Sequence, residues 1–164
     1  MSIAFKSLAD AATQKAFSYS STELRILVVE NDLPLLLLLG EILRSAGHLT
    51  GLAASSLDGL ARFRAEPWHL VCTNRERAGM NGDEFAREIK LLSATTPVVM
   101  LTSNPPSRAE KCVDGVLVKP FTCAALGAII SRCLKPYTQR YDDPVSKRHS
   151  HEDSSIMSRG GRAS

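Results

Sequence analysis

The sequence has few aromatic residues, few cysteines and no long apolar run. Aromatic residues make up 5% of the 164 residues, with a single tryptophan. The four cysteines form neither a Cys-x-x-Cys pair nor the spacing of a zinc site, which argues against a zinc site and a disulfide framework. We expect them to be small core residues in a reducing compartment. They are Cys72, Cys112, Cys123 and Cys133.

No segment approaches the run of about 20 apolar residues that a membrane-spanning helix needs. Residues 1–17 also lack the continuous apolar core of a signal peptide. The hydrophobic share of 44% and the charged share of 23% are ordinary for a globular protein. We therefore expect a soluble, cytoplasmic protein with no membrane partner.

The middle of the chain lacks an excess of either charge. Residues 23–134 carry twelve basic and twelve acidic residues, so the net charge of +3 comes from the ends. Residues 135–164 form a basic tail with few large apolar residues, which predicts disorder. The sequence thus divides into an N-terminal extension (1–22), a folded domain (23–134) and this tail. The neutral domain, without a helix-turn-helix pattern, argues against a nucleic-acid partner.

What the folded part does have is a series of short apolar runs, continuous and rich in β-branched residues. Such runs are typical of strands buried on both faces, as in a parallel sheet between helices. We predict strands at Arg25–Val29, Leu49–Ala54, His69–Thr73, Pro97–Leu101 and Val113–Val118.

Helical segments alternate with these strands. Their capping residues and apolar stripes predict helices at Pro34–Ala46, Ser56–Ala65, Gly82–Leu92 and Thr122–Leu134. Strand–helix alternation with right-handed crossovers predicts a doubly wound α/β fold. In its flavodoxin-like form, this five-stranded parallel sheet has the order 2-1-3-4-5, with function at the carboxyl ends of strands 1 and 3.

Polar residues follow the apolar runs where such a site should lie. The tripeptide Glu30-Asn31-Asp32 follows the first run, and Asn74, Thr102 and Lys119-Pro120 follow the third, fourth and fifth. With the turn Gly79-Met80-Asn81-Gly82, they make the sequence from Leu24 to Leu134 similar to the receiver domain of two-component response regulators. The resemblance implies a CheY-like fold and a role in phosphorelay signalling.

The resemblance places Asn74 where the family has the aspartate that accepts a phosphoryl group. An amide cannot accept it, so we expect a degenerate site without catalysis. Thr102 matches the switch hydroxyl, and Lys119 matches the lysine that bonds the acyl phosphate. With no acceptor carboxylate present, Lys119 is expected to bond Glu30 or the Asn74 carbonyl instead.

The family holds Mg²⁺ with carboxylates, and only Glu30 keeps a charge at the matched positions. Asn31 offers a neutral oxygen, and Asp32 either compensates or caps the following helix, with capping favoured. We therefore expect no bound cofactor, or at most a weak Mg²⁺ site at Glu30. Arg75 and Arg77 lie in a solvated loop, or one of them takes the place of the metal and pairs with Glu30.

Further departures affect the output side of the family's switch. Ala78 replaces a proline, and Val116 stands where an aromatic switch residue is common. The connection from Thr102 to Lys119 contains Asn104-Pro105-Pro106, so helix 4, near Ser107–Cys112, is expected to be shortened.

Helix 1 carries five consecutive leucines, Leu35–Leu39. Only about half of a helix can face the sheet, so we expect Leu37 and Leu38 to point outward. They are either scattered surface residues or a patch covered by a partner or by the N-terminal extension. The extension has a weak helical stripe of Phe5, Leu8 and Ala12, with Phe17 further along.

The function we expect is that of a stand-alone pseudo-receiver that is not an enzyme and binds signalling proteins such as a histidine kinase or an output protein. The sequence is also compatible with a homodimer. One alternative is phosphotransfer at Asp32 or Glu30. Another is a flavodoxin-like cofactor binder, against which the loop Glu30–Pro34 lacks the Ser/Thr/Gly-rich phosphate cradle.

Overall fold

The sheet and helices follow the predicted alternation. The computed structural model describes residues 23–75, 80–104 and 111–141, with side chains as far as residue 135. The strands are β1 (Arg25–Val29), β2 (Leu49–Ala53), β3 (Leu70–Asn74), β4 (Val98–Thr102) and β5 (Gly115–Val118). The helices are α1 (Leu33–Ser45), α2 (Ser56–Ala65), α3 (Gly82–Leu92) and α4 (Cys123–Tyr141).

The five strands form one parallel sheet in the order β2-β1-β3-β4-β5. This order confirms the predicted flavodoxin-like fold. The chain moves outward from β1 to β2 and then back across to β3. Right-handed crossovers therefore place α1 on one face of the sheet and α2 and α3 on the other.

Both faces are covered by apolar side chains. On the face of α2 and α3, Leu27, Val71 and Val98 are register neighbours that pack with Phe85 and Ile89 of α3. On the face of α1, Gly115 of β5 leaves room for α4. A Cβ on Gly115 would lie 2.9 Å from Cys133 Sγ and 3.0 Å from Ile129 Cδ1. This double cover explains why the strand sequences are continuously apolar.

Three strand predictions were wrong by one residue, and the fifth was too long. The second strand ends at Ala53 and not at Ala54. Asn74 and Thr102 are the last residues of β3 and β4 and do not follow them. Pro97 lacks an N–H for the ladder, so β4 begins at Val98. The fifth strand begins at Gly115 and not at Val113. Just before it, the Asp114 carboxylate accepts the Val98 N–H at 2.7 Å.

The helices agree with the prediction to within one residue at each end, except at the end of α4. Helices α2 and α3 have the predicted bounds, and α1 is followed by Gly47 at φ +86°. Helix α4 runs to Tyr141, whereas the predicted disordered tail begins at residue 135. The helix continues through Pro136, which has no N–H to donate to the preceding turn and disfavours a helix interior. The Lys, Gln and Arg residues of this segment are good helix formers. A composition averaged over thirty residues misses such an extension.

Two further predictions lie outside the described residues. They concern the extension 1–22 and most of the short helix predicted near Ser107–Cys112. All four cysteines are free, with Cys72 and Cys133 buried and the other two half-buried. Burial raises the pKa of Cys72 to about 12, as expected for an inert core thiol. The chain divides into two units, Met1–Cys133 and Leu134–Ser164, with the boundary inside α4.

Candidate functional site

The carboxyl edge of the sheet brings four of the predicted site residues to one end of the molecule. Glu30 follows β1, Asn74 ends β3, Thr102 ends β4, and Lys119 follows β5. Glu30 and Thr102 are each 0% exposed, and Asn74 is 5% exposed. Parallel strands make this convergence necessary, because their carboxyl ends share an edge.

Glu30 is the centre of the pocket and has both carboxylate oxygens bonded. Its Oε2 lies 2.8 Å from Lys119 Nζ, which is one of the two partners predicted for Lys119. Its Oε1 accepts from Asn74 Nδ2 at 2.8 Å and from the Asp32 backbone N–H at 3.1 Å. A fully buried carboxylate needs such compensation, because an unpaired one would lose its hydration.

The Asn74 side chain uses its amide nitrogen as a bridge. Nδ2 donates to Glu30 Oε1 and to Asn31 Oδ1, both at 2.8 Å. An amide NH₂ has two hydrogens, so these two bonds account for both of them. The orientation of the amide follows from Glu30, since an ionised carboxylate only accepts hydrogen bonds. Sequence reasoning assigned Asn74 a lost charge but missed this bridge.

Asp32 caps α1, as favoured from the sequence. Its Oδ1 accepts the Leu35 backbone N–H at 3.1 Å, with the extended backbone of an N-cap residue. The side chain thereby satisfies one of the unpaired amides in the first turn of the helix. It is therefore committed to the helix and does not replace the missing charge beside Glu30.

A divalent cation does not fit this set of donors. Mg²⁺ prefers several oxygen ligands with carboxylate charge among them. Here the oxygens that face one another, Glu30 Oε1 and Asn31 Oδ1, already accept from the same Asn74 nitrogen. Lys119 neutralises the one carboxylate. Among the described residues, no group of three His, Cys, Asp or Glu side chains could hold a metal ion.

The Thr102 hydroxyl is bonded within its own loop. Its Oγ1 donates to the Asn104 carbonyl at 3.0 Å and accepts from the Asn104 N–H at 3.0 Å. The same carbonyl accepts from Arg75 Nη1 at 3.1 Å. Arg75 Nε in turn lies 2.9 Å from Asp83 Oδ2 in the first turn of α3. One chain of contacts thus links the loops that follow β3 and β4.

The suggestion that Arg75 replaces the metal and pairs with Glu30 was therefore wrong. Arg75 pairs with Asp83 because that carboxylate lies in the first turn of the helix that begins a few residues later. Arg77, the other candidate, lies outside the described residues. Sequence spacing alone did not reveal that Arg75 would also reach Asn104, which belongs to a different loop.

The turn before α3 fits closely against the end of β3. A Cβ on Gly82 would lie 2.5 Å from the Asn74 carbonyl oxygen and 2.7 Å from Arg75 Cα, so only glycine fits there. Asn81 and Glu84 cap the helix reciprocally, at 2.9 and 3.0 Å. This close approach explains the glycine that ends the Gly79-Met80-Asn81-Gly82 turn.

Residues 26–131 match the family described as the response regulator receiver domain. The chain belongs to this family. The carboxyl-edge pocket described above lies within these matched residues. The receiver domain is a module of two-component signalling, which agrees with the expected function at this level.

Two curated relatives of this receiver are transcriptional regulatory proteins named ZraR. The one from Klebsiella oxytoca is 29% identical over 133 residues, covering 78% of this chain and 30% of the relative. The one from Escherichia coli K12 is 30% identical over 116 residues, covering 66% of this chain and 26% of the relative. The receiver thus spans less than a third of the curated relatives that it matches.

Solved receiver structures share the fold. The response regulator TrrA from Thermotoga maritima, in complex with Mg²⁺ and BeF, is 27% identical. It matches with a TM-score of 0.63 over 69% of this receiver and 100% of that chain. In the part of the receiver that the structure describes, no helix has the length and apolar character to cross a membrane.

Proposed function

We propose that this protein is a pseudo-receiver, which acts in two-component signalling by binding other proteins and is not switched by aspartyl phosphorylation. The observation that carries the proposal is the Asn74 bridge to Glu30 and Asn31. Its partners are signalling proteins in the cytoplasm, such as a histidine kinase or an output protein. We infer that the protein is not an enzyme.

The chemistry of Asn74 supports the loss of phosphorylation. Phosphoryl transfer to a receiver needs a carboxylate oxygen as nucleophile at this position. The amide has no anionic oxygen, and its nitrogen donates both hydrogens to the neighbouring acceptors. Of the residues matched to the family's carboxylates only Glu30 is charged, so Mg²⁺ has little negative charge to bind.

Neither neighbouring acid is well placed to replace Asn74. Glu30 is fully buried, and both of its oxygens are bonded. Asp32 is exposed, but it caps α1 through Oδ1. Phosphorylation of Glu30 would convert the buried carboxylate that pairs with Lys119 into an acyl phosphate, and phosphorylation of Asp32 would leave only a neutral carbonyl oxygen to cap the helix. Both alternatives are therefore disfavoured by the contacts that they would weaken.

The contacts around the pocket favour a single conformational state. Receivers that switch exchange two arrangements of the loops around the acceptor, with phosphorylation shifting the populations. In this receiver the Thr102 hydroxyl is bonded to Asn104, and Arg75 ties Asn104 to Asp83. Val116 has no aromatic ring to relay a change. A protein held in this way presents one surface to its partners.

Incubation with acetyl phosphate and Mg²⁺, followed by intact mass measurement, tests the proposal. We expect no species heavier by one phosphoryl group in the wild type, while TrrA serves as the positive control. The Asn74→Asp variant restores a carboxylate at this position. Its phosphorylation shows whether the rest of the pocket still supports phosphoryl transfer. A stable phosphorylated form of the wild type would overturn the proposal. Beryllofluoride with Mg²⁺, seen in the TrrA structure, is a second probe and should not bind the wild type.

A further inference from the structure

The first half of α1 presents an apolar patch to the outside of the domain. Its three leucines, Leu33, Leu37 and Leu38, are 56%, 51% and 55% exposed. Leu37 lies four residues after Leu33, and the exposed Pro34 lies three and four residues before Leu37 and Leu38, so these side chains form one contiguous surface. This confirms the predicted outward orientation of Leu37 and Leu38. We call Leu33, Pro34, Leu37 and Leu38 the α1 patch.

The patch is bounded on its helix by polar groups. One turn further, Glu41 and Arg44 are exposed and paired with each other. The inward side of the same helix is buried, through Leu36, Leu39 and Leu43. Exposed leucines scattered singly need no explanation, but a contiguous group on one helix indicates a covered surface. A segment that covers the α1 patch would present apolar side chains to it.

We propose that the N-terminal extension of this same chain, residues 1–22, covers the α1 patch. The extension carries the matching apolar stripe, with Phe5, Leu8 and Ala12 at helical spacing. It is joined to the fold next to α1. Leu24, two residues after the extension ends, accepts the Leu49 N–H through its carbonyl oxygen at 2.8 Å, just beyond the end of α1.

The length of the extension suits this position. A helix rises about 1.5 Å per residue, so Leu33 lies about 18 Å from the Ser45 end of α1. A helical extension that runs alongside α1 from the Ser45 end would reach the height of Leu33 after about twelve residues. The extension has 22 residues, which leaves enough for a connecting turn at Ser18–Thr22. The apolar stripe and the α1 patch therefore lie within reach of each other.

This arrangement has a consequence for access to the pocket. The α1 patch begins directly after Asn31 and Asp32, which are exposed at the rim of the pocket. An extension that lies on the patch would compete with any partner for this side of the domain. The inference does not depend on the phosphorylation chemistry, because it concerns a surface and not the acceptor.

Photo-crosslinking in the full chain tests the proposal. A benzophenone amino acid replaces Leu37, and in a control it replaces Leu57, which is 75% exposed on α2 across the sheet. We expect the probe at residue 37 to attach to a peptide from residues 1–22 within one chain, and the probe at residue 57 not to do so. Attachment only between two chains would instead identify a second copy as the cover and overturn the proposal, as would no attachment to residues 1–22.

A second measurement separates covering from chance proximity. The double variant Phe5→Asp with Leu8→Asp should reduce the crosslink from residue 37 at least fivefold and increase binding of a hydrophobic dye. Adding Leu37→Glu and Leu38→Glu should return dye binding to the wild-type level. Unchanged crosslinking and dye binding in the double variant would contradict the proposal. Because Leu37 and Leu38 are exposed and residues 5 and 8 precede the described domain, the fold should be retained in each variant.

Discussion

The side-chain nitrogen of Asn74 lies 2.8 Å from Glu30 Oε1, a distance at which only a donor and an acceptor are stable together. With an aspartate at position 74, two carboxylates would face each other across this distance. Receivers that bind a cation neutralise such a group of oxygens with the metal. Here the Asn74 amide donates to these oxygens and the Lys119 ammonium neutralises the Glu30 carboxylate, so the protein's own side chains compensate the buried charge.

The variant Asn74→Asp should therefore be less stable than the wild type in the absence of Mg²⁺. We expect a loss of about 1–3 kcal/mol, because a hydrogen bond is replaced by repulsion between buried acceptors. Millimolar Mg²⁺ should restore part of this stability in the variant and leave the wild type unchanged. Thermal unfolding in EDTA and in Mg²⁺ measures both effects.

Asn31→Asp is the matched control for this experiment. Asn31 accepts from Asn74 Nδ2 and is exposed, so an aspartate keeps the acceptor and places its charge next to water. Its cost should be smaller than that of Asn74→Asp. Equal stability of Asn74→Asp and wild type in EDTA would show that the bridge contributes little.

Removal of Lys119 should destabilise the domain through Glu30. The variant Lys119→Met leaves a carboxylate that is 0% exposed without its cation, which costs about 3–5 kcal/mol for a buried pair. In a Glu30→Gln background the same substitution should cost much less, because no buried charge remains. Urea unfolding of the four proteins in this cycle gives the coupling energy. A coupling near zero would mean that the ion pair is not formed.

Much of the fold could be predicted because its sequence signals are local. Continuous apolar runs such as Arg25–Val29 indicate central strands that are buried on both faces. The bounds of α2 and α3 follow from their caps and flanking residues. Parallel topology then places Glu30, Asn74 and Lys119 together without further information. The pairing of Lys119 with Glu30 was one of two predicted outcomes, since a buried carboxylate requires a cation or donors nearby.

The side-chain contacts of the pocket depend on how separate loops meet. The spacing of apolar residues along the sequence does not encode these contacts. The Asn74 amide could be predicted to lose a charge, but its role as a bridge depends on the position of Asn31. Arg75 had two carboxylates within plausible reach, and only the turn at Gly82 shows that Asp83 is nearer. The end of α4 was missed because Pro136 and the polar composition of the tail both indicate a helix end near residue 135.

Trp68 should report on a close contact in β2. A Cβ at Gly51 would lie 2.3 Å from the Trp68 ring, so Gly51→Ala must displace the ring. We expect a loss of about 1–3 kcal/mol from overpacking and a change in fluorescence of the single tryptophan. Gly47→Ala is the control, since Gly47 has φ +86° and open space around it. It should lower stability without changing the fluorescence spectrum of the folded protein.

The Arg75–Asp83 pair should hold the loop after β4 in place. The two side chains are 26% and 18% exposed, so solvent weakens the pair, and Arg75→Ala should cost about 1 kcal/mol. The stronger effect should be local, because Arg75 also bonds the Asn104 carbonyl. We expect the Asn104 N–H, which donates to Thr102 Oγ1, to exchange with deuterium several-fold faster in the variant. The control Arg62→Ala removes an exposed pair with Asp58 on α2 and should leave Asn104 exchange unchanged. If Arg75→Ala left it unchanged as well, Asn104 would be held by its own turn, and Arg75 would not link the two loops.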